Sequence, residues 1–382
     1  MKIGIVCYPT YGGSGVVATE LGKGLARIGH DVHFITYRMP VRLSTFQERV
    51  YYHEVTPLDY ALFDFSPYES TLASKMVNVV LKEGLDLLHV HYAVPHTTAA
   101  YLAKKILLSK GIYIPIVTTL HGTDITLVGI DESIAPVIEF CIQKSDGVTS
   151  VSEDLRASTY HHFDIECDIK VIPNFIDMSR FEPDDKDHFK KLLAPAGEKI
   201  LIHVSNFRKV KRIQDVIRVF QIVQKQVPSK LLLIGDGPER GPMERIAEEL
   251  GVTEHTRFLG KQDAIEELMA IADLFLLTSE KESFGLVALE AMACGVPVIS
   301  SNAGGISEVN VHGVTGYLSE IGDYQDMAKN SISLLTNEDK LKQFRAAALE
   351  RAQEFEISKI LTMYESYYDQ VLAKAAKISV HT

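Results

Sequence analysis

The stretch SEKESFGLVALEAMACGVPVISS, Ser279 to Ser301, carries two acids, Glu282 and Glu290, on either side of a Phe-Gly turn. The apolar spacing after the turn predicts a helix that starts near Phe284–Gly285 and stops before Gly295 and Pro297. The first amides of such a helix, from Gly285 to Val287, have no partner within it and carry positive potential, so they can hold an anion. Glu282 precedes those amides and Glu290 lies one to two turns inside, which at a rise of about 1.5 Å per residue separates the carboxylates by roughly 10 Å. An acid and a nucleophile that must face each other across one bond are badly served by that arrangement. Two acids so placed suit hydroxyls on two parts of one extended ligand with a phosphate between them, the form of a nucleoside diphosphate sugar. A half-buried helix acid paired with a cation explains Glu290 equally well.

Further candidates stand at the ends of apolar runs. In HVSNFRKVKRIQD, Arg208, Lys209, Lys211 and Arg212 place four cations within five residues of an acidic chain. A solvated charge run is the plain explanation, but on a loop that leaves a strand and enters a helix these groups suit a diphosphate. In LLLIGDGPER, Gly235 and Gly237 permit close backbone approach to a ligand. In CYPTYGGSGVVATELGK, Gly13, Gly15 and Ala18 match a dinucleotide fingerprint, and Arg38 after the next strand suits an NADP phosphate. YPTY intervenes between strand and turn, however, and no ribose-binding acid follows. A packing turn, or a turn that admits a bulky anion, fits those glycines as well. TTLHGTDIT brings His121, Thr123 and Asp124 to a strand end, where Asp124 can cap the next helix. In HVHYAVPH, His89 and His91 share a strand face without a third ligand at zinc spacing, so histidines of the core or of a ligand cleft are the better reading.

The elements that must position these groups alternate. KIGIVCY, DVHFITY, DLLHVHY and IPIVTTL, then KILIHVS, KLLLIGD, TRFLG, DLFLLTS and VPVIS, are strand-like runs separated by helical patterns. This predicts two parallel sheets, each covered by helices on both faces, with ligands beyond the carboxyl ends of the strands. The proline-interrupted, charged stretch Ile172 to Lys199 reads as the crossover. The boundaries are then 1–171 and 172–359, with a tail, helical from Leu349 to Leu372, whose last part (about 360–382) is able to pack back on the first domain.

At 382 residues the chain suits two domains, which makes a cleft between them the first place to seek a site. A net charge of -11 argues against a nucleic-acid partner. Cys7, Cys141, Cys167 and Cys294 form neither a CxxC nor a zinc pattern, so no disulfide is expected. No apolar window reaches the roughly 18 residues of a membrane span, and the N-terminal pattern is a strand rather than a leader, so a cytoplasmic protein is expected.

Taken together, GGSG, HGTD, SNFRKVK, GDGP and the E-x7-E pair Glu282/Glu290 resemble the family-four retaining glycosyltransferases of the GT-B fold, two Rossmann-like parallel-sheet domains facing each other across a cleft. GGSGVVATELGK, HVHYAVPH, TTLHGTDIT and HVSNFRKVKRIQDVIRVF are most similar to its members in bacillithiol biosynthesis. The resemblance implies retaining transfer of GlcNAc from UDP-GlcNAc to the hydroxyl of L-malate, without metal or cofactor, and a possible homo-oligomer. It assigns Arg208 and Lys211 to the diphosphate, Glu290 to the ribose and Glu282 to the sugar hydroxyls. Ser283, Phe284, Gly285, Leu286 and Gly235 fall around phosphate and sugar, His121 near C6 of the sugar, and Gly13 and Gly15 beside diphosphate and acceptor. Many relatives carry an arginine five residues before the lysine matched by Lys211; this chain has Asn206 there and Arg208 two later, and both stand as candidates. For the malate carboxylates the candidates are Arg42, Tyr92 and Thr123, each of which a surface cation, a packed tyrosine or a capping threonine explains too.

Three other readings stand beside this one. A related transferase of envelope polysaccharide or glycolipid would use Tyr60, Phe63, Phe65 and Tyr68 as a lipid groove, although Asp59, Asp64 and Glu69 in the same stretch disfavour an anionic membrane. An NADP oxidoreductase would use GSGVVA and Arg38, and a non-catalytic sensor would bind the nucleotide sugar alone. No stable membrane association is expected.

Overall fold

The computed structural model describes residues 1–10, 12–43, 46–57, 67–181 and 187–379. Tyr60, Phe63, Phe65, Asp59 and Asp64 lie outside the described residues. The chain forms two compact units, the first from Met1–Asn174 with Ile357–Thr382, the second from Phe175–Glu356.

Unit 1 is built on a seven-stranded parallel sheet. Its strands are β1 (Lys2–Val6), β2 (Asp31–Thr36), β3 (Val50–Glu54), β4 (Leu87–His91), β5 (Ile116–Leu120), β6 (Gly147–Ser150) and β7 (Ile169–Val171), in the order β3-β2-β1-β4-β5-β6-β7. β4 and β5 are buried along their whole length, because helices cover both faces of the sheet and every side chain, in either direction, meets protein. Their register pairs His89 with Val117 and His91 with Thr119.

Unit 2 carries a six-stranded parallel sheet of β8 (Lys199–Val204), β9 (Ser229–Ile234), β10 (Thr256–Gly260), β11 (Leu274–Leu277), β12 (Val298–Ser301) and β13 (Gly316–Ser319), in the order β10-β9-β8-β11-β12-β13. Leu201, Leu231, Leu233, Leu274 and Leu276 of the sheet pack with Val216, Phe220 and Met327 of its helices in one core.

In both sheets the strand order reverses once, between β1 and β4 and between β8 and β11. Loops leaving the two strands at such a reversal diverge to opposite faces and open a crevice, which is where ligands bind in this architecture. GGSG follows β1, Tyr92 follows β4, Arg208 and Lys211 follow β8, and Glu282 follows β11.

The tail differs from the single helix expected over Leu349 to Leu372. One helix, Glu338–Glu354, ends at Phe355, and a second, Ile357–Ser379, belongs to unit 1. The second packs on the helix Gly13–Arg27 where Gly24 leaves room for Ile357 and Leu361. It buries Tyr364 and Tyr368, and the Tyr367 hydroxyl donates to the carbonyl of Val148 at 3.0 Å. Among the described residues no helix is long and apolar enough to cross a membrane.

Candidate active site

In unit 2 the helix expected after the Phe-Gly turn spans Leu286–Ala293. Gly285 precedes it with φ +92°, in the left-handed region glycine tolerates, and a Cβ there would lie 2.4 Å from Ile306 Cδ1. Phe284 is buried and meets Phe355 edge-on at 5.6 Å, which fixes the turn. Glu290 is buried in the second turn of the helix. Burial, with Glu290 and Glu266 nearby, pushes the Cys294 thiol up to about 12. Ser283 and Leu286 are half-buried at the start of the helix.

Lys211 and Glu282, given separate ligand groups by the resemblance, are joined: Nζ donates to Oε2 at 2.7 Å, both side chains keeping partial contact with water. The loops that carry them are tied by backbone and hydroxyl bonds. The amide of Glu280 donates to the carbonyl of Val210, and the Thr278 hydroxyl lies within bonding distance of the carbonyls of Lys211 and Arg212. The Glu282 carbonyl accepts from the amide of Gly305, so the Gly304–Gly305 turn also belongs to this cluster.

The four cations after β8 therefore divide. Arg212 is held by Asp215, a buried acid it shares with Arg218, and serves the fold. Lys211 faces Glu282. Arg208 and Lys209 are exposed and take no ion pair among the described residues, and Asn206 is exposed beside them. The close approach allowed by Gly235 and Gly237 is to the chain itself: a Cβ would lie 1.8 Å from the Ser205 carbonyl oxygen at the first and 2.4 Å from that of Asn206 at the second. These glycines seat the cationic loop against the end of β9. His203 was missed by sequence reasoning. It bridges the carbonyl of Leu276 on β11 at 2.8 Å and the Ser205 hydroxyl at 2.9 Å, and burial lowers its pKa to about 4. The alternation of strand residues predicts a buried position there, but nothing in the sequence names its partners.

In unit 1, Gly13 opens the helix Gly13–Arg27, and a Cβ on Gly15 would strike the Tyr8 and Thr10 carbonyl oxygens at 2.4 and 2.6 Å. Gly15 is thus required by its own turn. Arg38 is exposed and lies over the Tyr37 ring. Tyr68 meets Tyr37 edge-on at 5.7 Å.

Beyond β4 and β5 a group of rings comes together. Tyr92, with φ +83°, sits 5.3 Å from His121, Tyr8 lies 5.4 Å from Tyr92 and 4.6 Å from His96, and His91 stacks on both His89 and His121. His89 shares hydrogen bonds with Thr119 and Tyr368, both at 2.7 Å, so both its ring nitrogens are engaged within the unit. Burial depresses the imidazole pKa values, to about 3 for His89 and His121, about 4 for His96 and well below the ordinary value for His91.

Asp124 is not the helix cap suggested by its position. Its buried carboxylate accepts from the amides of Ala93, Gly122 and His121 at 3.1, 2.9 and 3.3 Å, clamping the loop after β4 to the loop after β5. Burial raises its pKa to about 6 against the lowering effect of those amides. The 31-residue separation of Ala93 and Asp124 hid this clamp from the sequence. Thr123 is exposed, and Arg42 is half-buried in a turn at φ +69°. The four cysteines are free thiols.

Residues 11–180 match the family model Glycosyltransferase Family 4 and residues 184–351 match Glycosyl transferases group 1, so each unit carries one half of a single enzyme type. The chain belongs to this family of glycosyltransferases and has its GT-B fold of two Rossmann-like parallel-sheet domains. It is 50% identical over 374 residues to the N-acetyl-alpha-D-glucosaminyl L-malate synthase of Bacillus anthracis, covering 97% of each chain. An uncharacterized glycosyltransferase of Methanocaldococcus jannaschii is 30% identical over 83% of this chain and 84% of its own. The crystal structure of Anabaena HepE in complex with UDP and glucose is similar in fold, with a TM-score of 0.81 at 22% identity over 97% of this chain and 99% of that one.

Proposed function

We propose that this enzyme transfers GlcNAc from UDP-GlcNAc to the hydroxyl of L-malate with retention, the first step of bacillithiol biosynthesis. The observation that carries the proposal is the 50% identity, over 97% of both chains, to the malate synthase of Bacillus anthracis.

In unit 2 the donor meets charge. Lys211 and Arg208 neutralise the diphosphate as it leaves, Glu290 binds the ribose hydroxyls and Glu282 the sugar hydroxyls, with amides at Gly285 and Leu286 on the phosphate. Lys211 has three N–H donors, so it keeps Glu282 in place with one and offers the others to phosphate oxygens. In unit 1, His121 meets the transferred sugar, Gly13 and Gly15 lie beside diphosphate and acceptor, and Arg42, Tyr92 and Thr123 serve the malate carboxylates. The departing phosphate oxygen takes the malate hydroxyl proton on the face where the new bond forms, so the enzyme's work is positioning and charge neutralisation. The reaction as proposed takes neither metal nor cofactor.

Mass spectrometry of products from UDP-GlcNAc offered with L-malate, an inositol phosphate and a lipid acceptor in parallel tests the proposal. A GlcNAc-malate product with α configuration, dominant over the other two, is expected; transfer to either competitor in preference to malate overturns it.

A further inference from the structure

The donor and acceptor roles above engage His121 but leave its neighbours His91 and His96 unexplained. Both are wholly buried. Each has one ring nitrogen hydrogen-bonded, while its Nε2 is buried with no partner among the described residues.

We propose that His91 is a positioning residue that holds His121 in the Nδ1–H tautomer, so that His121 meets its ligand as a hydrogen-bond donor and has no lone pair free to act as a base. His91 Nδ1 and His121 Nε2 lie 2.8 Å apart, and one of them must donate. If His121 donated from Nε2, the neutral His91 ring would carry its own proton on Nε2, a buried N–H with nothing to accept it. If His91 donates from Nδ1, its Nε2 is a bare ring nitrogen. An orphaned buried donor is the rarer and costlier defect, so His91 donates. His96 follows the same pattern independently: its Nδ1 donates to the His91 carbonyl, which can only accept, and its Nε2 is therefore the bare nitrogen. Burial keeps these rings neutral, which excludes the doubly protonated form in which both nitrogens would donate.

With its Nε2 lone pair engaged by His91, His121 carries its proton on Nδ1. Among the described residues nothing accepts from that Nδ1. The group it recognises is then an acceptor: a hydroxyl oxygen, a carboxylate or a phosphate oxygen. On the reading of the site given above, which this inference deepens, that acceptor is an oxygen of the transferred sugar. The Asp124 clamp on the His121 amide fixes the backbone from which this ring projects.

Nitrogen-15 NMR of histidine-labelled protein tests this, with the His121 signals assigned by their loss in His121→Ala. The expected spectrum shows a protonated Nδ1 and a bare Nε2. His91→Phe should move His121 toward the other tautomer and lower kcat about tenfold, the effect of one misplaced hydrogen bond, with the KM for UDP-GlcNAc changed less. His91→Asn, whose amide N–H can stand where Nδ1 stood, should restore both readouts. A wild-type His121 protonated on Nε2 overturns the proposal, as does a folded His91→Phe with an unchanged His121 spectrum. So does a folded His91→Asn that behaves like His91→Phe. If His91→Phe does not fold, the wild-type spectrum alone decides. Because the spectrum is read without substrate, a failure to glycosylate malate would sink the functional reading and leave this one standing.

Discussion

Around the ends of β4 and β5 in unit 1 the histidines are buried and neutral, a chain of imidazoles and hydroxyls beside one carboxylate set on backbone amides. Around the ends of β8 and β11 in unit 2 the exposed face holds full charges in partial contact with water, Lys211 against Glu282, with Arg208 nearby making no ion pair among the described residues. The strand order reverses at both places, so topology alone does not explain the contrast. Neutral rings in a close-packed interior fix shape and hydrogen-bond direction and lose little when no ligand is present. On the proposed function, charges that receive a leaving diphosphate must stay hydrated until it arrives, since burying them unpaired would cost more than binding returns. On that proposal one unit orients and the other neutralises.

Removing a neutralising charge should therefore have the largest effect. Lys211→Ala is expected to lower kcat by about 10²–10³ with a smaller change in donor affinity, and Arg208→Ala to act in the same direction. Steady-state kinetics with varied UDP-GlcNAc decides it, and unchanged turnover in both variants would break the contrast. An orienting group should act mainly through stability. Asp124→Asn loses at least one acceptor for the three clamped amides and should cost unit 1 about 1–3 kcal/mol in denaturant unfolding, while unit 2 is unaffected.

Acidification sharpens the comparison with the smallest effect. His89, His91, His96 and His121 have folded pKa values far below the ordinary 6.5, so the unfolded chain takes up their protons first. Their stabilisation is present above the unfolded value near 6.5 and is lost progressively as pH falls from there toward about 3. Asp124 acts oppositely, because its raised pKa lets the folded state take a proton earlier, but it is one group against four. Among the described residues, unit 2 has only His203 of this kind at its site. Between pH 7 and 5 the thermal midpoint of unit 1 should fall further than that of unit 2, each kcal/mol lost lowering it by about 2–4 °C, as calorimetry or hydrogen exchange resolved by unit would show.

Much of this architecture was legible in the sequence because buried parallel strands are almost purely apolar. KIGIVCY, DLLHVHY, KILIHVS and DLFLLTS each became a central strand. β3, β6, β7 and β13 were not read, since VYYHE, GVTS, IKV and GYLS are short or mixed and take their strand character from a neighbour already in place. The helix Leu286–Ala293 was legible from its own stop signals. Contacts were not: the Lys211–Glu282 pair spans 71 residues and the Tyr368–His89 bond 279, and no local pattern encodes such a partner. Glycines were legible as close approaches but not as to what approaches, which at Gly15, Gly235 and Gly237 is the chain's own backbone.

Unit 2 is inserted within unit 1, because the chain leaves at Asn174 and returns at Ile357. During synthesis the inserted half can therefore finish folding first, while the earlier half waits for the helix Ile357–Ser379 to emerge. Only then does Tyr368 reach His89 and Tyr367 reach Val148 of β6, so a nascent chain holds a finished inserted domain while its histidine array still lacks a buttress.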